Sequence, residues 1–376
     1  MDVFQTTTQG GIPDPSGLNA LAAFEPTWVL AFGPEPLLRQ AHAALLQAVP
    51  GAVLMGCSTA GEISSGGVGD DSLTLSAVRW ANVRTLQSST ELRDMDDSLD
   101  AGIRLAGGLP RAGLRAVVVL AQGVKMNGTA LIEGMTRVLG DQVPLVGGMA
   151  GDGGAFQHTV VMDNQGVSDN RLVCAGLYGD GLSISHGVFG GWSAFGPTRR
   201  VTRADRNVLY SLDDEPALST YKRYLGEYAK DLPASGLLFP FSVVAADQAA
   251  DGLLRTILSV DESAGSITLA GEVEEGSYVR MMQAGTDALV QGAEQAAQSL
   301  AVAQGPALAL MVSCVGRKVV MGGRVEEEIE AVASVLGDEA TLAGFYSYGE
   351  ISPAHNGAAC LLHNQTMTIT YFSEAA

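Results

Sequence analysis

Leu342-Ala343-Gly344-Phe345-Tyr346-Ser347-Tyr348-Gly349-Glu350-Ile351-Ser352-Pro353 runs from an apolar strand end into a loop with glycines five apart and then a carboxylate. Leu362-His363-Asn364-Gln365-Thr366-Met367-Thr368-Ile369 follows shortly after and sets a His, an Asn and a Gln at the start of a Thr-rich strand. Gly56-Cys57-Ser58-Thr59-Ala60-Gly61-Glu62-Ile63 repeats the first shape near the other end of the chain, so both stretches read G-x-x-x-x-G-E-I. The later loop carries two Tyr and a Ser where a plain connection would use Gly, Asp or Asn. Aromatic bodies with hydroxyl tips suit the wall of a small-molecule pocket.

Working outward from these loops, the same order of elements recurs. Trp28-Val29-Leu30-Ala31-Phe32 reads as a buried strand, and Pro34 and Pro36 open a helix with Leu38, Ala41, Leu45 and Ala48 on one face. Ala52-Val53-Leu54-Met55 leads into the first loop, and residues 73–78 follow as an alternating strand. Residues 116–120 then form a strand, Asn127 caps a helix bearing Leu131, Met135, Val138 and Leu139, and Val143-Pro144-Leu145-Val146 ends in Gly147-Gly148-Met149-Ala150-Gly151-Asp152. A hairpin is expected at Asp163-Asn164-Gln165-Gly166. The third copy runs from the strand 307–312 through a helix with Val325, Ile329, Val332 and Leu336 to the opening stretch. Each βαβ unit implies parallel strands with a right-handed crossover, and each alternating strand after a loop implies antiparallel pairing. The expected class is α/β (α+β), with mixed sheets built from repeated βαβ plus β-hairpin units, helices on the outer faces, and two domains.

Between the second and third copies the pattern changes. Residues 199–203 and 208–212 suggest a hairpin, 216–229 a helix with Tyr221, Tyr224 and Tyr228, 253–260 with 266–269 another hairpin, and 284–303 a long Ala/Gln-rich helix. The division expected from this is a flexible N-terminal arm at 1–25, a first domain at 26–213 and a second at 214–376.

Composition bounds the function. The 376 residues are 47% hydrophobic and 17% charged, which is an ordinary folded composition. The net charge of −19 repels nucleic-acid backbones and anionic membrane surfaces. The start, Met1-Asp2-Val3-Phe4-Gln5-Thr6, has neither the basic nor the apolar region of a signal peptide, and no apolar run reaches membrane-spanning length. Cys57, Cys174, Cys314 and Cys360 are scattered and suit reduced thiols of a cytoplasmic protein.

Five segments in order resemble FIST-domain proteins: Gly56–Ile63, Val146–Asp152, Tyr210-Ser211-Leu212-Asp213-Asp214-Glu215-Pro216-Ala217-Leu218, Gly344–Ile351 and His363–Thr368. The resemblance spans roughly Trp28 to Thr370 and both the N-terminal and C-terminal domains of that family. It implies a bacterial, intracellular sensory module that binds a small ligand and works beside a histidine kinase or a cyclic-di-GMP enzyme (a diguanylate cyclase or phosphodiesterase). A stand-alone branch, which this chain is similar to in length, looks like the haem-based nitric oxide sensors of NosP type. No motif in the resemblance fixes a haem ligand.

The candidate residues carry open alternatives. Tyr346, Ser347, Tyr348, Glu350, His363, Asn364, Ser58 and Glu62 are the candidate ligand-binding set. Glu62 and Glu350 either recognise a ligand or cap the amides of their own loops. Among His42, His158, His186, His355 and His363, a haem points first to His186, which lies near Phe189, Trp192 and Phe195, and second to His363. For each, an ordinary hydrogen-bonded role is the alternative. The enzyme signatures fail: there is no G-x-S-x-G, no G-x-x-x-x-G-K-[ST] and no His/Cys/Asp cluster at zinc spacing. A sensor of amino-acid-like small polar ligands without haem, or an enzyme acting on a small polar substrate, are the competing readings.

Overall fold

The computed structural model describes residues 1–244 and 252–375. Three six-stranded sheets are each built on a parallel pair joined by a helical crossover: Trp28–Phe32 with Val53–Cys57, Leu114–Ala121 with Leu145–Met149, and Ala307–Cys314 with Ala340–Ser347. The helices Glu35–Ala48 and Gly128–Leu139 make the first two crossovers, and Val315–Met321 with Glu326–Leu336 make the third. An antiparallel strand flanks the first member of each pair, namely Ser72–Arg79, Arg171–Tyr178 or Met367–Glu374. A further antiparallel strand lies outside that one, Asp2–Gln9, Arg84–Glu91 or Leu182–Phe189. The repeat is thus longer than the sequence pattern suggests, since each copy opens with this outer strand and a helix, Pro15–Phe24, Ser98–Gly107 or Thr286–Gln298.

The remaining two strands of every sheet come from another repeat. The hairpin Glu62–Ser64/Gly67–Gly69 pairs with Ala340–Ser347, Val161–Asp163/Gly166–Ser168 with Val53–Cys57, and Gly349–Pro353/Cys360–His363 with Leu145–Met149. Each repeat therefore hands its hairpin on in a cycle, which closes the three sheets on one another. Alternation along the strands then divides the apolar residues. Leu30, Phe32, Val118, Leu120, Leu310 and Val312 meet in the central core, while Val29, Ala31, Val117, Val119, Ala309 and Met311 face the helices. Phe32 and Phe345 touch at 4.8 Å between ring centroids inside that centre.

Residues 1–25, expected as a loose arm, are instead a strand paired along its length with Ser72–Arg79 and a helix capped by the Asp14 side chain on the Gly17 amide. The outermost strand of the first sheet needs a partner like those of its two counterparts, and Asp2–Gln9 supplies it. The fourth, eight-stranded sheet is an insertion within the third repeat, from Ser193 to Gln283, between its outer strand and its first helix. It contains the expected hairpin of Ser193–Asp205 with Val208–Leu212, and Ile257–Asp261 pairs with Ser266–Leu269 as expected, whereas Leu253–Arg255 turns to pair with Phe241–Val244. The expected division at 213 falls at the turn after Val208–Leu212, and hydrogen-bonded sheets of the repeat core take strands from both sides of it. Among the described residues no helix is long and apolar enough to cross a membrane.

Candidate functional site

The three glycine loops occupy equivalent ends of equivalent strands and hold one another. The Ala60 amide donates to the Tyr346 carbonyl at 2.9 Å, Tyr346 N–H to Gly61 O at 2.8 Å, and Gly151 N–H to Ser58 O at 2.9 Å. The first glycine of each loop is required by the parallel neighbour. A Cβ on Gly56, Gly147 or Gly344 would stand 2.1, 2.0 or 1.7 Å from the carbonyl oxygen of Ala31, Val119 or Met311.

Glu62 and Glu350 fill matching places and face inward. Thr59 Oγ1 donates to Glu62 Oε1 at 2.5 Å, and Ser72 gives Oε2 its hydroxyl at 2.7 Å and its amide at 3.2 Å. Ser347 Oγ donates to Glu350 Oε1 at 2.8 Å, and Thr366 gives Oε2 its hydroxyl at 2.9 Å and its amide at 3.1 Å. Burial, outweighing these donors, raises both carboxyls, that of Glu350 to about 8. The pairing registers put Val161 at the corresponding place of the second repeat.

The other candidates separate into two groups. Ser58 Oγ accepts from the Val160 amide, and the fully buried Tyr346 donates to Glu328 Oε1 at 2.6 Å. Glu328 is in turn paired with the equally buried Arg317 at 2.8 Å. His363 Nε2 donates to the Ser352 carbonyl at 2.9 Å, and burial lowers its pKa to about 4, so its ring is neutral. Tyr348 and Asn364, by contrast, both line a cavity of about 400 Å³. The expected grouping of Tyr346, Tyr348, Glu350 and His363 around one cavity is not found: three of these side chains serve the interior of the sheets.

That cavity lies between the second repeat and the inserted sheet. The segment Gly123–Gly128 and the start of the Gly128–Leu139 helix form one side, and Arg206, Asn207, Leu258 and Leu269–Glu272 the other. Met149, Tyr348, Leu362 and Asn364 close the bottom. Asn127 caps the helix through Oδ1 on the Ala130 amide at 3.1 Å and reaches Glu272 Oε1 with Nδ2 at 3.3 Å, which ties the two sides together. The Tyr348 hydroxyl donates to Asp152 Oδ1 and lies 3.0–3.2 Å from the amides of Asp152, Gly154 and Phe156. Asp152 also accepts from the amides of Phe156, Gln157 and His158. Phe156, stacked on Tyr348 at 4.0 Å and 14°, thereby becomes a wall of the cavity. Apolar walls with a few fixed polar groups are the usual make-up of a small-molecule site.

Neither candidate imidazole has surroundings that fit a haem. His186 sits in the Leu182–Phe189 strand against a cavity of about 230 Å³ with Arg115, Asp141, Gln142 and Asn356 at its edge, too small and too polar for a macrocycle. Its Nδ1 is buried without a partner among the described residues, and burial lowers its pKa to about 4. The cavity beside Asn364 contains no histidine. Cys57 is buried, and burial pushes its thiol up, away from a nucleophilic thiolate. Among the described residues no group of three or more His, Cys, Asp or Glu is placed to hold a metal ion.

Met126, Phe156, Leu258 and Glu272 escape a reading of motifs, and Met149 and Leu362 stand in quoted motifs without being read as cavity residues. One signal was present: six residues (122–127) join strand to helix in the second repeat, against two (33–34) in the first and none in the third. Arg255, buried beneath the cavity, escapes as well; it donates through Nη1 to Leu362 O and through Nε to Glu272 O, both at 3.3 Å.

The chain is thus three cyclically linked repeats with a cavity of ligand size under an inserted sheet. The FIST N domain matches residues 27–215 and the FIST C domain residues 217–353, so the chain belongs to the FIST family. FIST domains are sensory domains of signalling proteins that bind small ligands. No curated protein matches the chain. Among solved structures, it is similar to a cyanuric acid hydrolase from A. caulinodans, at 10% identity and a TM-score of 0.37, over 100% of this chain and 99% of that one. A second cyanuric acid hydrolase structure, described as an evolutionary innovation by structural concatenation, shares 11% identity at a TM-score of 0.35 over the same proportions.

Proposed function

We propose that this protein is a cytoplasmic sensor whose small-molecule ligand occupies the cavity between Gly123–Gly128 and the inserted sheet, and which reports occupancy to a partner such as a histidine kinase or a cyclic-di-GMP enzyme. The observation that carries this reading is the position of residues 362–366. Leu362 and Asn364 line the cavity. The same segment takes hydrogen bonds from the inserted sheet and the chain leading to it, with Arg255 Nη1 on Leu362 O at 3.3 Å and Trp192 Nε1 on Gln365 O at 2.7 Å. Gln365 Nε2 donates back to Thr256 Oγ1 at 3.0 Å and Leu237 O at 3.2 Å, from a backbone at φ 64°. A ligand seated on Asn364 thus bears on the joint between the two bodies, which is how a binding event shifts a two-state arrangement.

Thermal-shift screening of a library of small polar and amphiphilic compounds tests this, with Ala130→Phe as the control that fills the cavity from a half-buried position. A compound that stabilises wild type and loses tenfold or more of its affinity in the variant supports the reading. Compounds that stabilise both equally place the ligand elsewhere.

A further inference from the structure

A second cavity, of about 570 Å³, adjoins the first. The two share only Phe156 and Leu258 in their linings. The far chamber is mostly apolar, walled by Leu232, Pro233, Ala234, Leu237 and Ile257, with Asp231 the one charged side chain in its lining. Phe156 holds the partition from a left-handed backbone at φ 54°, a conformation a bulky side chain rarely adopts. Amides donating to Asp152, and the Tyr348 hydroxyl, fix it there. Leu258, 40% exposed, stands opposite as an apolar side chain that no core absorbs. An aromatic ring held in a costly conformation on the boundary between two chambers is an outlier of the kind that marks ligand sites.

The near chamber supplies the polar end. Asn364 is 1% exposed, and its Oδ1 has no hydrogen-bond partner among the described residues, while its Nδ2 donates to the His363 carbonyl. A buried acceptor left open costs about 1–3 kcal/mol unless a donor reaches it. Gly128 lines the same chamber in the first turn of its helix, where backbone amides have no intrahelical acceptor. The charged side chains at the rim are two of each sign, Asp96 and Glu272 against Lys125 and Arg206, with Arg206 on Asp96 at 2.8 Å. The rim itself is thus balanced, and the further cation nearby, Arg255, lies outside the lining with its donors on the Leu254, Leu362 and Glu272 carbonyls.

Resting on the cavity reading above, we infer that the ligand is a neutral amphiphile. Its head carries both an N–H (or O–H) donor for Asn364 Oδ1 and a carbonyl for the helix start, as a carboxamide does. Its unbranched apolar tail passes between Phe156 and Leu258 into the second chamber. Together the two chambers approach the top of the roughly 300–1,000 Å³ range of small-molecule sites, more than a compact polar metabolite fills.

Isothermal titration with n-alkanamides from butanamide to decanamide, and with the matching n-alkanoates, tests this on the full chain. Wild type should gain about fourfold in affinity per methylene along the amide series. Ala155→Trp and Ala234→Trp, at exposed positions that line only the far chamber, should bind the short amides as wild type does and stop gaining once the tail enters that chamber. Alkanoates should bind at least tenfold more weakly than amides of equal length. A wild-type series that levels off at the same length as the variants, or alkanoates that match the amides, overturns the inference. It then leaves the cavity reading standing if the short amides still lose affinity in Ala130→Phe. Equal binding of the whole series to wild type and Ala130→Phe overturns both, and no binding by any amide overturns the amphiphile.

Discussion

Replacing Glu350 by glutamine separates a carboxylate that recognises a ligand from an acid that holds the fold. Glu350 is fully buried, and its partners are Ser347 Oγ and the amide and hydroxyl of Thr366, none of them a cation. Its carboxyl is raised from 4.5 to about 8 by burial. In the unfolded chain the proton leaves near the ordinary value, whereas the folded state keeps it to higher pH. The stability this group contributes is therefore complete below about pH 4.5 and is lost as pH rises toward 8. At about 1.4 kcal/mol per pH unit, the loss between pH 5.5 and 7.5 comes to about 2–3 kcal/mol. A glutamine can accept from Thr366 through its carbonyl and donate to Ser347 through its amide, so Glu350→Gln should lie within about 1–1.5 kcal/mol of wild type at pH 5.5. By pH 7.5 it should be the more stable protein. Urea unfolding followed by circular dichroism at the two pH values, under reducing conditions, measures the difference. Because Glu62 and the histidines are common to both proteins, their titrations cancel. Parallel pH dependence of the two proteins would refute the reasoning, as would a variant weakened equally at both pH values.

The Arg317–Glu328 pair gives a second expectation. Both side chains are fully buried, so Arg317→Met leaves a carboxylate without its cation and should cost about 3–5 kcal/mol in chemical denaturation, and a loss under about 1 kcal/mol would contradict the burial. The third concerns haem: titration of the purified protein should give no stoichiometric Soret band that depends on an imidazole, with wild type, His186→Ala and His363→Ala alike, and a band lost in either variant would show that the surroundings described here rearrange to admit the macrocycle.

The triple order of strand, helix, strand and glycine loop was legible because each copy has a continuous apolar run before a glycine that the parallel neighbour demands. The opening strand and helix of each copy were not. Asp2–Gln9 is rich in Thr and Gln and only half-buried, since it lies at the edge of its sheet, and its composition looks like that of a loose terminus. Thr286–Gln298 was legible as a helix but not as part of the third repeat, because the insertion spanning 193–283 separates it from its strand. Nor can periodicity reveal the cyclic exchange of hairpins. Glu62 lies opposite Phe345, and only tertiary closure brings together residues so far apart in the chain.

The site was legible in part for a related reason. A motif that recurs in two repeats draws the eye, yet recurrence itself argues for a duty owed to the repeat. Glu62 and Glu350 each tie a glycine loop to the residue that opens or precedes the antiparallel strand after the hairpin, Ser72 in one case and Thr366 in the other, through three matching donors. A ligand without threefold symmetry is distinguished by parts the repeats do not share. In this chain those parts are the six-residue connection 122–127, the 152–158 loop that places Phe156, and the inserted sheet with Leu258 and Glu272. Tyr348 and Asn364 face the cavity because they stand where the third repeat's loop and strand meet these unshared parts. Tyr346, two residues away on the same strand as Ser347, turns instead to Glu328 inside its own repeat.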